Sequence, residues 1–375
     1  MKGLTLAAGS LLLGLATLNA SAAPQSLSEA QWPFTATPRA TLDAPWAIAF
    51  LPDGTALVTE KGGVLKHLNV QTGKAQDISG VPKVVAAGQG GLGDVILHPQ
   101  YASNGLIYLS YAEAGEDGTQ GAAVARAKLT LKQDGSGSLG DLKVIWRQTP
   151  KVTGNGHYGH RMRFGPDGKL WITSGERQKF TPAQDMSGNL GKLIRLNDDG
   201  STPADNPFAQ QGGVAAQVWS LGHRNPLGIA FDAQGRLWEQ EMGPQGGDEL
   251  NLIQRGGNYG YPEVSNGDHY GGKPIPDHAT RPEFIPPKIT WTPVISPAGL
   301  MIYAGDRFPA WKGNAFIGGL SSKALVRIEL KGEEAREVER YAMGTRIRDV
   351  EEGPNGSLWV LEDGAKARLL ELQPK

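Results

Sequence analysis

The amino-acid sequence predicts an all-β protein. Short apolar runs joined by turns recur along the 375 residues, whereas long amphipathic helical patterns are missing. The 52 glycines and 25 prolines are spread along the chain, so no linker divides it. After an N-terminal segment of a different character, residues 23–375 are therefore expected to form a single domain.

A repeated sequence motif, or phrase, predicts the architecture of that domain. The phrase is an apolar run, a turn built on Pro, Asp or Gly, and a second apolar run that often contains Trp or Tyr. Six copies lie at residues 45–68, 91–113, 161–176, 225–243, 299–320 and 347–364. A small sheet made by each copy could bury its faces only against its neighbours. The sequence thus predicts a six-bladed β-propeller with long loops on one face, whereas a pair of β-sandwiches would leave the repeat unexplained.

The first residues predict a secretory signal peptide over residues 1–22. Lys2 precedes an apolar stretch at 4–18 and a run of small residues at 20–22. The absence of cysteine excludes disulfides, thiolate metal sites and a cysteine nucleophile. These features favour export to a bacterial periplasm.

The charge balance limits the kinds of partner. The formal net charge is -1, and the lysines and arginines form no basic stripe or cluster. Neither a nucleic acid nor a membrane surface is therefore expected as a partner, and no membrane anchor is expected.

Polar side chains concentrate in the glycine-rich loops beside the repeats. They are Gln89, His157, His160, His223, Arg224, Asn225, Glu239, Glu241, Asp248, Glu249, Arg346 and Arg348. At equivalent places in a repeat they would gather on one face, where such groups suit an anionic or quinonoid ligand near a hard cation. Individually, each group is also explained by loop hydrogen bonds, a contact between blades, a solvated face or a surface ion pair.

The two loop histidines allow three interpretations: metal ligands, a catalytic base beside a bystander, or polar loop residues. His157 and His160 are three residues apart, which suits a metal pair on a helix. The neighbouring glycines oppose a helix, however, and no third ligand matches.

Five motifs together resemble one known family of enzymes. They are "AGQGGLGDVILHP", "GNGHYGHRMRFGPDGKLWITSGE", "QVWSLGHRNPLGIAF", "EMGPQGGDELNLIQRGGNYGYP" and "RIRDVEEGPNGSLWVLED". The family is that of soluble quinoprotein aldose sugar dehydrogenases, which are related to the soluble glucose dehydrogenases. The similarity runs from about Ala44 over the mature chain. It implies a six-bladed propeller that uses pyrroloquinoline quinone (PQQ) and Ca²⁺ to oxidise aldoses at C1 to lactones.

The resemblance also implies roles for individual residues. His157, rather than His160, would be the general base, and Asp185 would be the carboxylate that orients it. The residues implied to hold the quinone and its carboxylates are Gln89, Arg224, Asn225, Tyr270, Arg346 and Arg348.

Metal and sugar sites follow from the same resemblance. The carbonyls of Gly243 and Pro244 would bind a Ca²⁺ at PQQ. Glu249 and the carbonyl of Tyr259 would bind a second, structural Ca²⁺. Trp291 resembles the aromatic residue of the family's sugar site, although a position in the core of a blade explains it equally well.

The chain departs from the family pattern at one cofactor contact. Where the family has a lysine after "FIG", this chain has Ser321, and Lys323 follows two residues later. Either Lys323 reaches back along an extended strand, or one charged contact to the cofactor is absent.

Two other functions stay open at this stage. A propeller lactonase or hydrolase would need side-chain ligands that converge on a channel-centred Ca²⁺, and a non-catalytic propeller would only bind sugars or proteins. For the dehydrogenase, the expected partners are mono- and oligosaccharide aldoses and an unidentified electron acceptor, with a monomeric state.

Overall fold

The structure, a computed structural model, describes residues 24–375, so the predicted signal peptide lies outside the described residues. The strands are β1 (Ser26–Leu27), β2 (Phe34–Leu42), β3 (Pro45–Phe50), β4 (Ala56–Glu60), β5 (Val64–Asn69), β6 (Lys74–Ser79), β7 (Leu92–Leu97), β8 (Leu106–Ala114), β9 (Gln120–Leu131), β10 (Gly137–Arg147), β11 (Gly159–Phe164), β12 (Leu170–Ser174), β13 (Lys192–Leu196), β14 (Val218–Leu221), β15 (Pro226–Phe231), β16 (Leu237–Glu241), β17 (Asp248–Leu252), β18 (Ile289–Trp291), β19 (Pro297–Ile302), β20 (Ala315–Gly319), β21 (Ala324–Lys331), β22 (Glu334–Ala342), β23 (Ile347–Glu352), β24 (Leu358–Glu362) and β25 (Ala367–Pro374).

Helical structure in the same residues is confined to single turns. They are α1 (Tyr101–Asn104) and 3-10 segments at Glu29–Gln31, Thr181–Ala183, Ala209–Gln211, Ala215–Gln217, His278–Thr280 and Pro309–Trp311. None of these helices has the length and hydropathy that a membrane-spanning helix requires.

Twenty-four of the strands form six four-stranded antiparallel blades. The remaining strand, β1, pairs in parallel with β22, and β6 and β10 pair in parallel between the first two blades. Blades 1 to 5 are β3 to β6, β7 to β10, β11 to β14, β15 to β18 and β19 to β22, and blade 6 is β23, β24, β25 and β2. The first strand of each blade contacts the first strand of the next, and β23 contacts β3, which closes the ring. The predicted six-bladed β-propeller is therefore confirmed.

Ring closure depends on a strand from the start of the described chain. Strand β2 pairs with β25, so that Phe34 lies opposite Pro374 and Leu42 lies opposite Ala367. Strand β2 thereby covers what would otherwise be an open edge of blade 6.

Apolar clusters fill all six interfaces between neighbouring blades. Between blades 5 and 6, for example, Trp311 stacks on Phe308 with ring centroids 4.1 Å apart. Both faces of each sheet are thus buried against a neighbour. This explains why the repeats are continuous apolar runs rather than strands in which apolar and polar residues alternate.

The direction of the six inner strands decides where the loops meet. Strands β3, β7, β11, β15, β19 and β23 come first in their blades and line the central channel. They run the same way, so the segments that precede them meet on one face, called here the upper face. The repeated turns, such as residues 165–169 with Gly168 at φ 71°, lie on the opposite face.

Candidate active site

The segments that begin the inner strands enclose a cavity of about 190 Å³ at the upper face. The cavity is lined by Trp46, Lys61, Gln89, Tyr158, Gly159, His160, Asn225, Leu227, Met242, Ser296, Leu320, Arg346 and Arg348. The fold therefore brings together Gln89, Asn225 and the two arginines, which come from different blades.

His157 stands beside this cavity in a tightly held loop. Its backbone has a left-handed φ of 49°, and its N–H donates to Oε1 of Gln89 at 2.7 Å. Only 6% of the residue is exposed. Its Nδ1 lies 2.5 Å from Oε1 of Glu176, whereas no hydrogen bond from residues 24–375 reaches its Nε2. A neutral ring would thus carry its proton on Nδ1 and keep a free lone pair on Nε2.

The prediction that Asp185 orients His157 is wrong. Asp185 is exposed, and within residues 24–375 its carboxylate accepts hydrogen bonds only from the N–H and hydroxyl of Ser187, both at 2.8 Å. Glu176 takes the predicted role because it follows β12 and is fully buried beside the loop of the same blade. The sequence signal was an acid at the end of the apolar run "LWITSGE".

Burial and charge set the protonation of the pair. Burial lowers the pKa of His157 below its ordinary value; the hydrogen bond to Glu176 opposes this, and nearby Arg224 and Arg177 add to it. Burial would raise the pKa of Glu176, but His157 and the N–H of Phe180 hold that pKa below its usual value. A carboxylate facing a neutral imidazole is therefore the resting arrangement near neutral pH.

Arg177 fixes the loop that carries the histidine, and the sequence patterns did not indicate it. It is 1% exposed, and its backbone N–H donates to the carbonyl of His157 at 3.1 Å. Its guanidinium donates to the carbonyls of Gly156, at 2.8 Å, and of Gln120 and Gly154. It also lies 3.8 Å from the ring centroid of Tyr158. These contacts leave the loop little freedom to move.

His160 is a packing residue at the bottom of the cavity. Its ring stacks on Trp46 at 5.1 Å between centroids, and its Nδ1 lies 2.8 Å from the hydroxyl of Ser110. Complete burial lowers its pKa to about 3, so it stays neutral. Below it, Arg161 packs on Trp46 and pairs with Asp94 at 3.3 Å.

Arg224 and Asn225 are presented by the loop before β15. Their backbone N–H groups both donate to Oε2 of Glu241, at 2.5 and 3.1 Å. Nη1 of Arg224 donates to the carbonyl of Gly243 at 2.7 Å, whereas its buried Nε has no partner in the described chain. Tyr270 is 74% exposed, with its ring 5.8 Å from the Arg224 guanidinium. Arg224 thus retains a donor for a ligand.

Arg346 and Arg348 line the cavity from the start of blade 6 and share one carboxylate. Arg346 donates to Asp363 Oδ2 at 2.7 Å, and Arg348 donates to Oδ1 at 2.8 and 3.0 Å. Lys61 also lines this side of the cavity. The two arginines share one acidic partner and Lys61 has none within ion-pair distance in residues 24–375, which leaves an excess of positive charge.

The predicted metal ligands line a second, smaller cavity next to Arg224. Gly243, Pro244, Glu249 and Tyr259 all border a space of about 10 Å³. Asp248 holds the loop at one side by accepting hydrogen bonds from the N–H groups of Gly243, Ile295 and Ser296. Burial raises the pKa of Asp248 to about 6.

An acidic cluster borders that second cavity. Glu239, Glu241 and Glu249 are buried on adjacent strands, and His223 lies 3.2 Å from Glu241. Oε1 of Glu239 and Oδ1 of Asn251 are buried without a hydrogen-bond partner in residues 24–375. Burial and the charge of Glu241 raise the pKa values of Glu239 and Glu249 well above normal. Crowded oxygens of this kind suit a hard cation such as Ca²⁺.

Three other predicted site residues are not among those that line the cavity. Trp291 is in the core between blades 4 and 5, and its Nε1 donates to Glu337 at 2.6 Å, so its assignment to the sugar site is wrong. Ser321 donates its hydroxyl proton to the Val294 carbonyl at 3.2 Å. Lys323 is exposed and is not among the residues that line the cavity.

Comparison with known proteins agrees with this geometry. The chain matches the Glucose / Sorbosone dehydrogenase family over residues 42–371. It is 40% identical to the aldose sugar dehydrogenase YliI of Escherichia coli over 362 residues, which are 93% of this chain and 96% of that protein.

Solved structures are similar over the same extent. The apo-form soluble aldose sugar dehydrogenase of Escherichia coli superposes with a TM-score of 0.85 and 40% identity, over 91% of this chain and 100% of that chain. The PQQ-bound form of aldose sugar dehydrogenase from Streptomyces coelicolor gives a TM-score of 0.75 and 29% identity, over 91% and 98% of the two chains. The protein described here therefore belongs to the Glucose / Sorbosone dehydrogenase family.

Proposed function

We propose that this protein is a PQQ- and Ca²⁺-dependent aldose sugar dehydrogenase that oxidises aldoses at C1 to lactones and passes the electrons to an external acceptor. The observation that carries the proposal is the buried pair of His157 and Glu176 beside a cation-lined cavity. Both named relatives are aldose sugar dehydrogenases, and one of them binds PQQ. Export through the predicted signal peptide would place the enzyme in the periplasm.

The cavity fits a flat, carboxylate-bearing quinone. Arg346 and Arg348 carry two positive charges against the single carboxylate of Asp363, so the cavity attracts an anion. Arg224 has an unpartnered buried Nε, and Gln89 and Asn225 supply amide groups. These residues would hold PQQ and its carboxylates, while Tyr270 would cover the open side beside Arg224. When bound, PQQ would supply the hydride acceptor, and Ca²⁺ would supply the Lewis acid that polarises it.

His157 would remove the proton of the C1 hydroxyl. Its Nε2 has no hydrogen-bond partner in residues 24–375, and its Nδ1 is held by Glu176. As the C1 hydrogen leaves as hydride, the hydroxyl loses its proton to Nε2, and the hemiacetal becomes a lactone. Glu176 fixes the ring orientation and stabilises the imidazolium that forms. Arg224, whose charge acts on His157, would supply positive charge to the accepting group.

Ca²⁺ would be held in two places. The carbonyls of Gly243 and Pro244 are the proposed ligands of the ion at PQQ, and Glu249 and the Tyr259 carbonyl are those of a structural ion. The Gly243 carbonyl already accepts a hydrogen bond from Arg224, but a carbonyl oxygen has a second lone pair. The unpartnered oxygens of Glu239 and Asn251 support a cation in this region.

The arrangement of the acids opposes a lactonase. Such an enzyme would need carboxylates that converge on the central channel from several blades. Here Glu239, Glu241 and Glu249 all come from blade 4. The inner-strand carboxylates of Asp94 and Asp349, from blades 2 and 6, are already paired with Arg161.

Binding of PQQ by the apo-protein tests the proposal directly. PQQ added with Ca²⁺ should develop a protein-dependent absorbance change that saturates, and EGTA should prevent it. Ca²⁺ should also raise the melting temperature, since a ligand at about 100 times its dissociation constant stabilises the folded state by roughly 2.7 kcal/mol. No spectral change at any Ca²⁺ concentration would refute the proposal, and Mg²⁺ serves as the control ion.

The rate of aldose oxidation should be maintained at mildly acidic pH. The base works only when His157 is neutral, and burial holds its folded-state pKa below the ordinary value. The acid limb of kcat/KM should therefore fall at a pH below about 6.5, the ordinary histidine value. A pH–rate profile of the PQQ-loaded enzyme measures this limb, and a midpoint above 6.5 would contradict the assignment of the base.

A further inference from the structure

A lysine that the family resemblance did not indicate lines the cavity. Lys61 lies in the turn between β4 and β5 and lines the cavity beside Gln89, Arg346 and Arg348. At the position where the family has its lysine, this chain has Ser321, whose hydroxyl is used by the Val294 carbonyl.

The backbone of Lys61 is held by the segment that begins its own blade and by the first strand of blade 2. Its backbone N–H donates to the Ala44 carbonyl at 3.0 Å, and its own carbonyl accepts from the N–H of Leu92 at 3.1 Å. A side chain at Gly91 would lie 2.2 Å from the Lys61 carbonyl, so this close approach requires glycine. The direction in which the lysine leaves the backbone is therefore well defined.

The ammonium group has no acidic partner within ion-pair distance in the described residues. Its Nζ donates to the Gly88 carbonyl at 3.1 Å, a neutral acceptor that leaves two of its protons available. Burial lowers the pKa of Lys61, Arg348 and Arg346 lower it further, and Asp363 opposes them. Asp363 is already used by both arginines. An anionic ligand would relieve this excess of positive charge.

We propose that Lys61 provides the ammonium contact to a carboxylate of the cofactor, replacing the contact that is lost at Ser321. This inference rests on the proposed function, since it takes PQQ as the ligand of the cavity. It assigns the charged contact to blade 1, whereas Lys323, the candidate from the sequence, is exposed and lies outside the cavity lining.

PQQ titration of four apo-proteins in saturating Ca²⁺ tests the inference: wild type, Lys61→Arg, Lys61→Gln and Lys323→Gln. Lys61→Gln should raise the dissociation constant about 10-fold, or about 1.4 kcal/mol. Lys61→Arg should stay within about threefold of wild type because it keeps the charge. Lys323→Gln is the matched control and should bind as wild type does. Thermal melting of each apo-protein confirms that it is folded.

Salt separates a charge contact from a structural one. If Lys61 only held the loop of Gly88 in place, the loss of PQQ affinity in Lys61→Gln would not depend on the salt concentration. With a charge contact, the difference between wild type and Lys61→Gln should shrink as NaCl rises to 0.5 M.

Three results would overturn the inference: equal affinity of wild type and Lys61→Gln, a loss in Lys323→Gln instead, or a difference that salt leaves unchanged. If the wild type itself fails to bind PQQ, the proposed function is refuted, and this inference with it. The titration of the wild type alone identifies that outcome.

Discussion

Replacing His157 by glutamine should lower kcat for aldose oxidation by about 10²- to 10⁴-fold, the usual contribution of a positioned general base. The side chain keeps a similar size, but no group with a basic lone pair remains to take the hydroxyl proton. Steady-state dye reduction by the PQQ-loaded variant measures the effect. The loss should fall mainly on kcat, because the imidazole is needed in the transition state rather than for binding.

PQQ binding provides the control for that variant. His157 is not among the residues that line the cavity, so the affinity for PQQ should remain within a few-fold of wild type. A variant that binds PQQ normally and retains more than a tenth of wild-type kcat would show that another group removes the proton.

Replacing Glu176 by glutamine should have an effect nearly as large. Both carboxylate oxygens accept hydrogen bonds: Oε1 faces Nδ1 of His157, and Oε2 accepts from the N–H groups of Lys179 and Phe180. An amide has only one acceptor, so one side must be mispaired. If the amide NH₂ faces the ring, the proton moves to Nε2 and the base is blocked. A loss in kcat of about 10²-fold or more is expected, as for other bases that lose a tautomer-fixing carboxylate.

The pH profile and a second variant distinguish this role from simple destabilisation. Without the negative charge of Glu176, the pKa of His157 should fall further, so any residual activity should keep its acid limb at lower pH than wild type. Asp185→Asn is the matched control and should leave kcat unchanged, because the carboxylate of Asp185 is hydrogen-bonded to Ser187 and not to His157. Loss of activity in Asp185→Asn with a normal Glu176→Gln would reverse the assignment.

The repeat in the sequence was sufficient to predict the blades. Each copy carries its own turn and its own apolar runs, such as those around Gly168, and these are local features. The closure of the ring by β2 was not predictable in the same way. Phe34 and Pro374 pair across almost the whole chain, and no local pattern records which distant strand completes blade 6.

Within the site, residues just before an inner strand were easier to place than the others. Gln89, Asn225 and Arg346 precede recurring apolar runs, so their common face followed from the repeat. Glu176 and Lys61 follow second strands, where side chains can point to the site or into a blade interface. Trp291 illustrates the same ambiguity, because a tryptophan in a blade suits both a core and a sugar site.

The most direct test of the central claim is dye-linked oxidation of aldoses by the purified protein, with PQQ and Ca²⁺ added separately and together. The account predicts sugar-dependent dye reduction only when both are present, and its near-complete loss in His157→Gln. A protein that binds PQQ with Ca²⁺ but reduces no dye with any of a panel of mono- and oligosaccharide aldoses would contradict it.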